Sequence, residues 1–555
     1  MTNESSIDVL ISGAGAAGLA LAIDLARRGV SFRLIDALPA PFAGSRGKGI
    51  QPRSQEVFED LGFIDRLAAT GGLYPPQRVH RADGGHDDSQ SFAVEAPTVA
   101  EPYRMPMLVA QFRTEAVMSE RLAELGGGVE YGHELRGFAQ DGDGVVAEIA
   151  GPDGIETVRC AWLVGADGGR SFVRHALEIG FPGKTLGIRA VVADIELDGL
   201  SRDAWHRFGE GDMERQIALC PLPHTGLFQL QAPIPLEGEM DLSVAGLQAF
   251  IDDRVPDGGL TVRGVAWASA YNMNARLADR YRVGRVFLIG DAAHIHPPTG
   301  GQGLNTSVQD AYNLGWKLGA VLDGAPETLL DSYEEERRPI AAGMLGLASD
   351  LLDRAKQGDM RRGREVHQLD LGYAWSSLAA GDDREAAVGP GDRVPDARLI
   401  GAGGQPVRLF DLMRGPHWTL IARGEAAGLP APSPALRVHV VGEEVFPTWI
   451  ESTHVDYRYA KRQGGSTELT ATTLPPEIAA RCVALTADLG LAFTGIDLKL
   501  TPDGDYYCFE VNPSPAFSYF EANTGQPIAE AVARYLAGST APKPVPAAKK
   551  RKRKA

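Results

Sequence analysis

The chain has 555 residues, a formal charge of −17 and 44% hydrophobic residues, which suits a globular protein of roughly two to four domains. The acidic balance argues against general nucleic-acid binding, and no run is long and apolar enough to span a bilayer. Cys160, Cys220, Cys482 and Cys508 form no CxxC pair, which fits a reducing, cytoplasmic compartment and neither a disulfide framework nor a zinc site.

Val9-Leu-Ile reads as a buried parallel strand. Glu4 and Asp8 precede or open it and glycines follow, so the N-terminus does not read as an export sequence. After Gly13, Gly15 and Gly18 comes a helical run from Leu19 to Arg28 ended by Gly29, then a strand from Ser31 to Ile35 closed by Asp36. Such glycines permit a tight turn, close approach of backbone to a pyrophosphate and close helix–strand packing. The helix N-terminus, near Ala17, then faces the phosphates, and Asp36 can accept hydrogen bonds from a ribose. This order indicates dinucleotide binding without separating FAD from NAD.

Trp162 to Arg174 repeats the theme: strand, acidic turn at Asp167-Gly168, helix start at Ser171. Two inserted regions, roughly 73–110 and 176–271, follow another logic. Arg189–Leu197, Gln216–Leu219 and Gly226–Gln231 alternate with a period of two, as in an antiparallel sheet with one face covered. Trp205, Phe208, Phe228 and Gln229 are candidate pocket residues, against the reading that aromatic residues on such strands are core. No dependable catalytic base is recognisable there. The strand Val286–Ile289 leads to Gly290-Asp291, a carboxylate suited to a polyol such as a ribityl chain. Past His294, His296 and Pro297, the glycines Gly300, Gly301 and Gly303 open a helix running from about Leu304 to Leu322. Its N-terminal amides are free to face an anion. His294 and His296 read as structural loop histidines.

These residues carry a resemblance. Over roughly residues 5–425 the chain is similar to the class A, single-component FAD-dependent aromatic hydroxylases of the phenol-hydroxylase and polyketide-tailoring type. The GxGxxG loop, the DG motif (Asp167-Gly168 with Ser171 and Arg174) and the GD motif (Gly290-Asp291 with Pro297 and Gly300-Gly301-Gln302-Gly303) match. Arg46 in Ser-Arg-Gly-Lys-Gly and Gln111 in Gln-Phe-Arg-Thr-Glu match positions that approach FAD. The resemblance implies FAD held by Gly13, Gly15, Ala17, Gly18, Asp36, Arg46, Gln111, Asp167, Gly290, Asp291, Pro297, Gly300, Gly301, Gly303, Leu304 and Asn305. It implies NADPH or NADH as co-substrate, with Asp167, Gly168 and Arg174 related to it, and Arg46 and Pro297 beside the reacting ring. It further implies hydroxylation of a phenolic or polycyclic aromatic small molecule with O₂ through a flavin C4a-hydroperoxide, in a site that excludes water and supplies oriented dipoles. The expected fold is α/β. A Rossmann-like FAD-binding domain (1–72, 111–175, 272–385) carries an inserted antiparallel-sheet substrate domain (73–110, 176–271). No nucleic-acid or membrane partner is expected, and a homo-oligomer is compatible with the sequence.

The C-terminal third departs from this. Residues 386–428 resemble the start of a thioredoxin-like tail, without a CxxC, and stop at a Pro-rich linker beginning at Gly428. Beyond it, Leu436–Val441 and the segment from Val445 read as strands, and a helix opens at Leu474 and runs to about Leu489. Asp503-Gly504 is a two-residue hairpin signal. If Pro502 faces Asp505, counting outward sets Asp497 opposite Glu510, with Asn512 on the same face. A hard divalent cation such as Mg²⁺ would relieve the repulsion between the two carboxylates. Residues 434–538 are similar to the C-terminal end of ATP-grasp ligases, whose metal-ligand positions are matched by Asp497, Glu510 and Asn512. The preceding ATP-grasp subdomains are absent, so this α+β fragment reads as a remnant or as a module completed by another chain. Residues 539–555 read as a solvated basic tail. Three rivals stay open: ATP-dependent ligation with a partner chain, a non-catalytic binding protein, and a flavin dehydrogenase or halogenase-like relative. The absence of WxWxIP counts against the halogenase.

Overall fold

The computed structural model describes residues 6–90, 92, 94–209, 212, 214–255, 259–298, 300–356, 362–381, 387–400, 406–421, 435–452, 466–501 and 504–538. The linker beginning at Gly428 (apart from its surroundings), Pro502–Asp503 and the basic tail lie outside these residues. The chain divides into two units, 1–419 and 420–555.

In chain order the first unit contains β1 (Ser6–Ser12), α1 (Ala16–Arg27), β2 (Phe32–Asp36), α2 (Pro52–Leu61), β3 (Gln77–His80), α3 (Gln111–Glu124) and β4 (Gly154–Gly165). There follow β5 (Gly183–Asp198), β6 (Trp205–Phe208), β7 (Ile217–Pro221), β8 (Leu227–Ile234), α4 (Val244–Arg254), β9 (Thr261–Leu277), β10 (Val286–Leu288), α5 (Gly303–Leu322) and α6 (Asp331–Lys356).

β10, β4, β1 and β2 lie side by side in that order, all parallel. Val9, Leu10 and Ile11 are wholly buried, as the continuous apolar run requires of a parallel strand covered on both faces. Gly13 turns the chain with φ +108°, and a Cβ there would strike the Ala166 carbonyl. A Cβ at Gly18 would strike the Gly13 carbonyl, so the two glycines let α1 lie directly on the strand end.

The inserted sheet runs β9–β5–β8–β7–β6–β3. One face packs Val191, Ala193, Ile195, Leu219 and Leu230 against Leu247 and Ile251 of α4. At its β9 edge, His294–Ile295 pairs with Arg276–Leu277, which joins the sheet to the loop after β10. Beyond α6, the short strands Arg398–Ile400 and Pro406–Arg408 are tied to α2 by ion pairs of Arg393 with Glu56 and of Arg408 with Glu59. No helix among the described residues is long and apolar enough to cross a membrane.

The second unit contains β11 (Ala435–Val441), β12 (Glu444–Ser452), β13 (Thr467–Ala471), α7 (Pro476–Asp488), β14 (Phe493–Leu500), β15 (Tyr506–Asn512), α8 (Ser518–Thr524) and α9 (Ile528–Leu536). The strands form an antiparallel sheet, β13–β12–β11–β14–β15. Leu436, Val438 and Ile496 pack under α7 on one face; Phe446 and Ile450 pack with Phe520 and Ile528 on the other. Asp497 does stand opposite Glu510, by a route other than the two-residue turn. Thr501 N–H donates to Asp505 O and Gly504 N–H to Thr501 O, so Leu500 faces Tyr506, one residue off the expected register. A bulge between Asp497 and Leu498 restores it.

Candidate functional site

The three motif loops leave the C-terminal ends of three neighbouring parallel strands, the position at which open α/β sheets bind ligands. Ala166 N–H donates to Ser12 O at 2.8 Å and Ile289 N–H to Gly165 O at 3.0 Å, so the loops are held in step. Gly290 lies so close to α1 that a Cβ on it would sit 3.2 Å from the Ala17 Cβ. Thus the GxGxxG and GD loops, about 275 positions apart in sequence, meet. A Cβ on Gly15 or on Gly303 would meet nothing within 4 Å. At those two helix N-termini the open side is where an anionic ligand could approach the amides.

The side chains around this cleft are organised by charge. Asp36 accepts from Ala14 N–H (2.7 Å) and Leu38 N–H (2.8 Å), which fixes the glycine loop. Gln111 accepts from Gly47 N–H at 3.0 Å and donates to Glu115 at 2.8 Å. Burial pushes the Glu115 carboxyl up to about 7, against the opposing bonds from Gln111 and Ala16. Asp291 remains open to solvent, yet the protein around it raises its carboxyl above the usual range despite His294 and Arg46. Such a combination belongs to a carboxylate lining a deep cleft. Arg46 is exposed and lies 5.6 Å from the Phe42 ring centre and 5.8 Å from that of Trp267.

Several expected ligands have internal partners. Arg174 is 2% exposed; it donates to Ala292 O and Gly169 O, both at 2.9 Å. It pins the DG loop to the GD loop and offers no exposed cation to a nicotinamide nucleotide. The Asn305 side chain bonds Gln51 N–H, Gly49 O and Gly301 O, so it can offer a ligand its backbone rather than its amide. His294 bonds Asp310 (2.6 Å) and His296 (2.9 Å), and Asp310 also pairs with buried Arg337 at 2.8 Å. Both histidines therefore sit in a buried charge network that holds the GD loop on α5.

The inserted sheet presents its other face to the loop bearing Arg46. Strand registers put Trp267 opposite Asp194, Asp194 opposite Gln229, and Gln229 opposite Cys220. By continuation of the β6–β7 register, Trp205 comes next, and it faces Gln77 on β3. This row crosses the sheet on the face away from α4. Gly44 abuts Trp267, Gln229 donates to Ser45 O, and Lys48 Nζ lies 4.3 Å from the Trp205 ring centre. Asp194, wholly buried, has a carboxyl pushed up to about 6 by burial, while Ser45 and Lys48 pull the other way. Burial drives Lys48 below its ordinary value, opposed chiefly by Cys220.

Trp205 and Gln229 thus belong to this face. Phe208 and Phe228 do not: alternation turns them to the opposite side, into the core against α4. Asp194 and Lys48 went unrecognised as acid–base groups in the sequence. The signal available was a carboxylate in phase with Ala190 and Val192, on the face opposite Val191, Ala193 and Ile195. A separate hollow of about 430 Å³, bordered by Lys184, Arg276 and Ser349, contains none of the motif residues.

In the second unit, Asp497 is 3% exposed and its carboxylate lies 2.8 Å from Arg437. Asn512 Oδ1 accepts from Ser514 N–H at 2.8 Å. The charge that a divalent cation was expected to neutralise is already met by a guanidinium, so these residues do not fit Mg²⁺ as they stand.

Residues 6–348 match the FAD binding domain family and residues 430–536 the RimK-like ATP-grasp domain. The chain is similar to a flavin-dependent monooxygenase of Mycobacteroides abscessus, 43% identical over 427 residues, 76% of this chain and 89% of that one. It is 37% identical over 355 residues to 12-dehydrotetracycline 5-monooxygenase/anhydrotetracycline 6-monooxygenase of Streptomyces rimosus, 61% of this chain and 68% of that one. Among solved structures it is similar to the flavin-dependent monooxygenase PieE in complex with FAD and substrate, at 26% identity and a TM-score of 0.64, over 74% of this chain and 83% of that chain.

Proposed function

The chain belongs to the FAD-binding-domain family of flavin-dependent aromatic monooxygenases, and from that premise we propose that it hydroxylates a phenolic or polycyclic aromatic small molecule at the expense of NADPH or NADH. The observation that carries this reading is the meeting of two surfaces at the loop 44–49. One is the cleft edged by Gly15, Asp291 and the α5 N-terminus; the other is the polar row of the inserted sheet.

Bound FAD would supply the redox chemistry by which one oxygen atom of O₂ reaches an electron-rich ring. The amides beyond Gly15 receive its pyrophosphate, Asp36 its ribose and Asp291 its ribityl chain. The first-turn amides of Gly303, Leu304 and Asn305 lack intrahelical acceptors and favour negative charge on the ring. Arg46 brings a cation to the same place, and buried Pro297 helps to exclude water. The tetracycline-modifying relative supports a fused-ring substrate. The four cysteines are free thiols, which supports a reducing compartment such as the cytoplasm.

Purified protein should be yellow, and an aromatic substrate should accelerate NAD(P)H oxidation and emerge one oxygen heavier by mass spectrometry. Colourless protein, or a rate indifferent to every hydroxyarene tried, would sink this reading. ATP-dependent ligation with a partner chain is a second reading, supported by the match of residues 430–536 to the RimK-like domain. Mg-ATP titration of the full chain tests it: absence of heat and of fluorescence change removes it.

A further inference from the structure

Six buried polar atoms beside the loop 44–49 make no well-aligned hydrogen bond among the described residues, although Ser45 lies beside Asp194 and Lys48 beside Cys220: Ser45 Oγ, Lys48 Nζ, both carboxylate oxygens of Asp194, Trp205 Nε1 and Gln229 Oε1. Each such group costs about 1–3 kcal/mol when left unmade, and natural interiors rarely concentrate them. Asp194 and Gln229 stand opposite each other, one strand spacing of about 5 Å apart, while Lys48 reaches in from the loop over Trp205. Donors (Lys48, Ser45, Trp205) and acceptors (Asp194, Gln229) therefore converge on one dry spot beside the Arg46 cleft. They complement a ring that carries one acidic hydroxyl and a second oxygen substituent.

We propose that Lys48 is the catalytic base that receives the acidic hydroxyl of a dioxygenated arene, with Asp194 as the residue that positions its Nζ. The substrate O–H bond breaks, an N–H bond forms on Lys48, and the electron pair stays on oxygen as a phenolate held by the new ammonium. Asp194 and Gln229 accept from the neighbouring substituent when that is a hydroxyl, and Ser45 and Trp205 donate when it is a carbonyl. Burial favours the uncharged amine before substrate arrives, and the resulting phenolate is the electron-rich form that oxygen transfer requires. This inference rests on the monooxygenase reading above.

The test uses 4-nitrocatechol, whose ionisation changes its visible spectrum, bound to the FAD-loaded full chain. The bound probe should ionise at a pH at least about one unit below that of the free compound, a tenfold change in its ionisation constant. In Lys48→Met that displacement should vanish while the flavin spectrum persists. In Asp194→Asn the anion should still bind, with a shifted ionisation midpoint and a raised KM. A probe that does not bind to the native protein, binds uncharged, or behaves alike in native and Lys48→Met protein overturns the proposal. If Lys48→Met does not fold, the native spectrum and Asp194→Asn still decide. FAD that NAD(P)H reduces while the probe stays neutral defeats this inference alone; protein that holds no FAD defeats the monooxygenase reading.

Discussion

The Arg174 guanidinium donates to the Ala292 carbonyl at 2.9 Å, so one buried side chain connects the DG loop to the GD loop. A second bond, to Gly169 O, the His175 ring nitrogen at 3.2 Å and the Phe181 ring 3.9 Å away also surround it. Arg174→Gln removes hydrogen bonds from a charged donor, each contributing about 1.5–3 kcal/mol. FAD affinity, read by flavin fluorescence on titration, should fall roughly tenfold or more. Unchanged affinity would mean that the two loops keep their spacing without this tie.

Gly13 and Gly15 should separate folding from cofactor binding. Alanine at Gly13 meets the Ala166 carbonyl in a left-handed backbone, a conformation that costs an L-residue about 1–2 kcal/mol before the collision is counted. Alanine at Gly15 touches no protein atom within 4 Å. Gly13→Ala should therefore lower the melting temperature of the apoprotein. Gly15→Ala should leave it unchanged and weaken FAD binding. Equal losses in both apoproteins would refute the placement of the ligand beyond Gly15.

Glu115 predicts a pH trend. Its carboxyl stands at about 7 rather than 4.5 because burial outweighs the bonds from Gln111 and Ala16, with Asp36 adding to the rise. Between those values the folded chain keeps a proton that the unfolded chain releases. Stability therefore falls as pH rises from about 4.5 to about 7, by on the order of 3 kcal/mol, and is level above. Glu115→Gln should flatten the melting temperature across this window and gain on the native protein at pH 8. Parallel profiles for the two proteins would rule Glu115 out as the source.

The parts legible in sequence were those set by local backbone demand. The glycines, the acids that end strands and the helix after Gly303 each answer to a turn, a cap or a ligand within a few residues. What was not legible depended on which way a strand faced, because a period of two marks the alternation but not the side that is core. Phe228 and Gln229 are neighbours in sequence and lie on opposite faces. Phe228→Ala should accordingly destabilise the chain by about 3–5 kcal/mol with KM for the aromatic substrate unchanged in whatever protein folds. Trp205→Leu should do the reverse, raising KM with a small change in melting temperature. A pocket role for Phe228 would return if its replacement altered KM.

Arg437 decides what the second unit can bind. Its guanidinium pairs with Asp497 at 2.8 Å in a position 5% exposed, beneath the Phe520 ring. Directly across the sheet from Asp497 is Glu510, so the arginine counters one of two carboxylates that stand opposed. Arg437→Met keeps much of the length and takes away the charge, and breaking a buried pair in this way costs about 3–5 kcal/mol. A divalent cation is the other means of countering the same charge. Millimolar Mg²⁺ should raise the melting temperature of Arg437→Met and leave the native chain unmoved. If the native chain responds to Mg²⁺, the arginine does not occupy the cation's place; if neither responds, Asp497 and Glu510 form no cation site in either state.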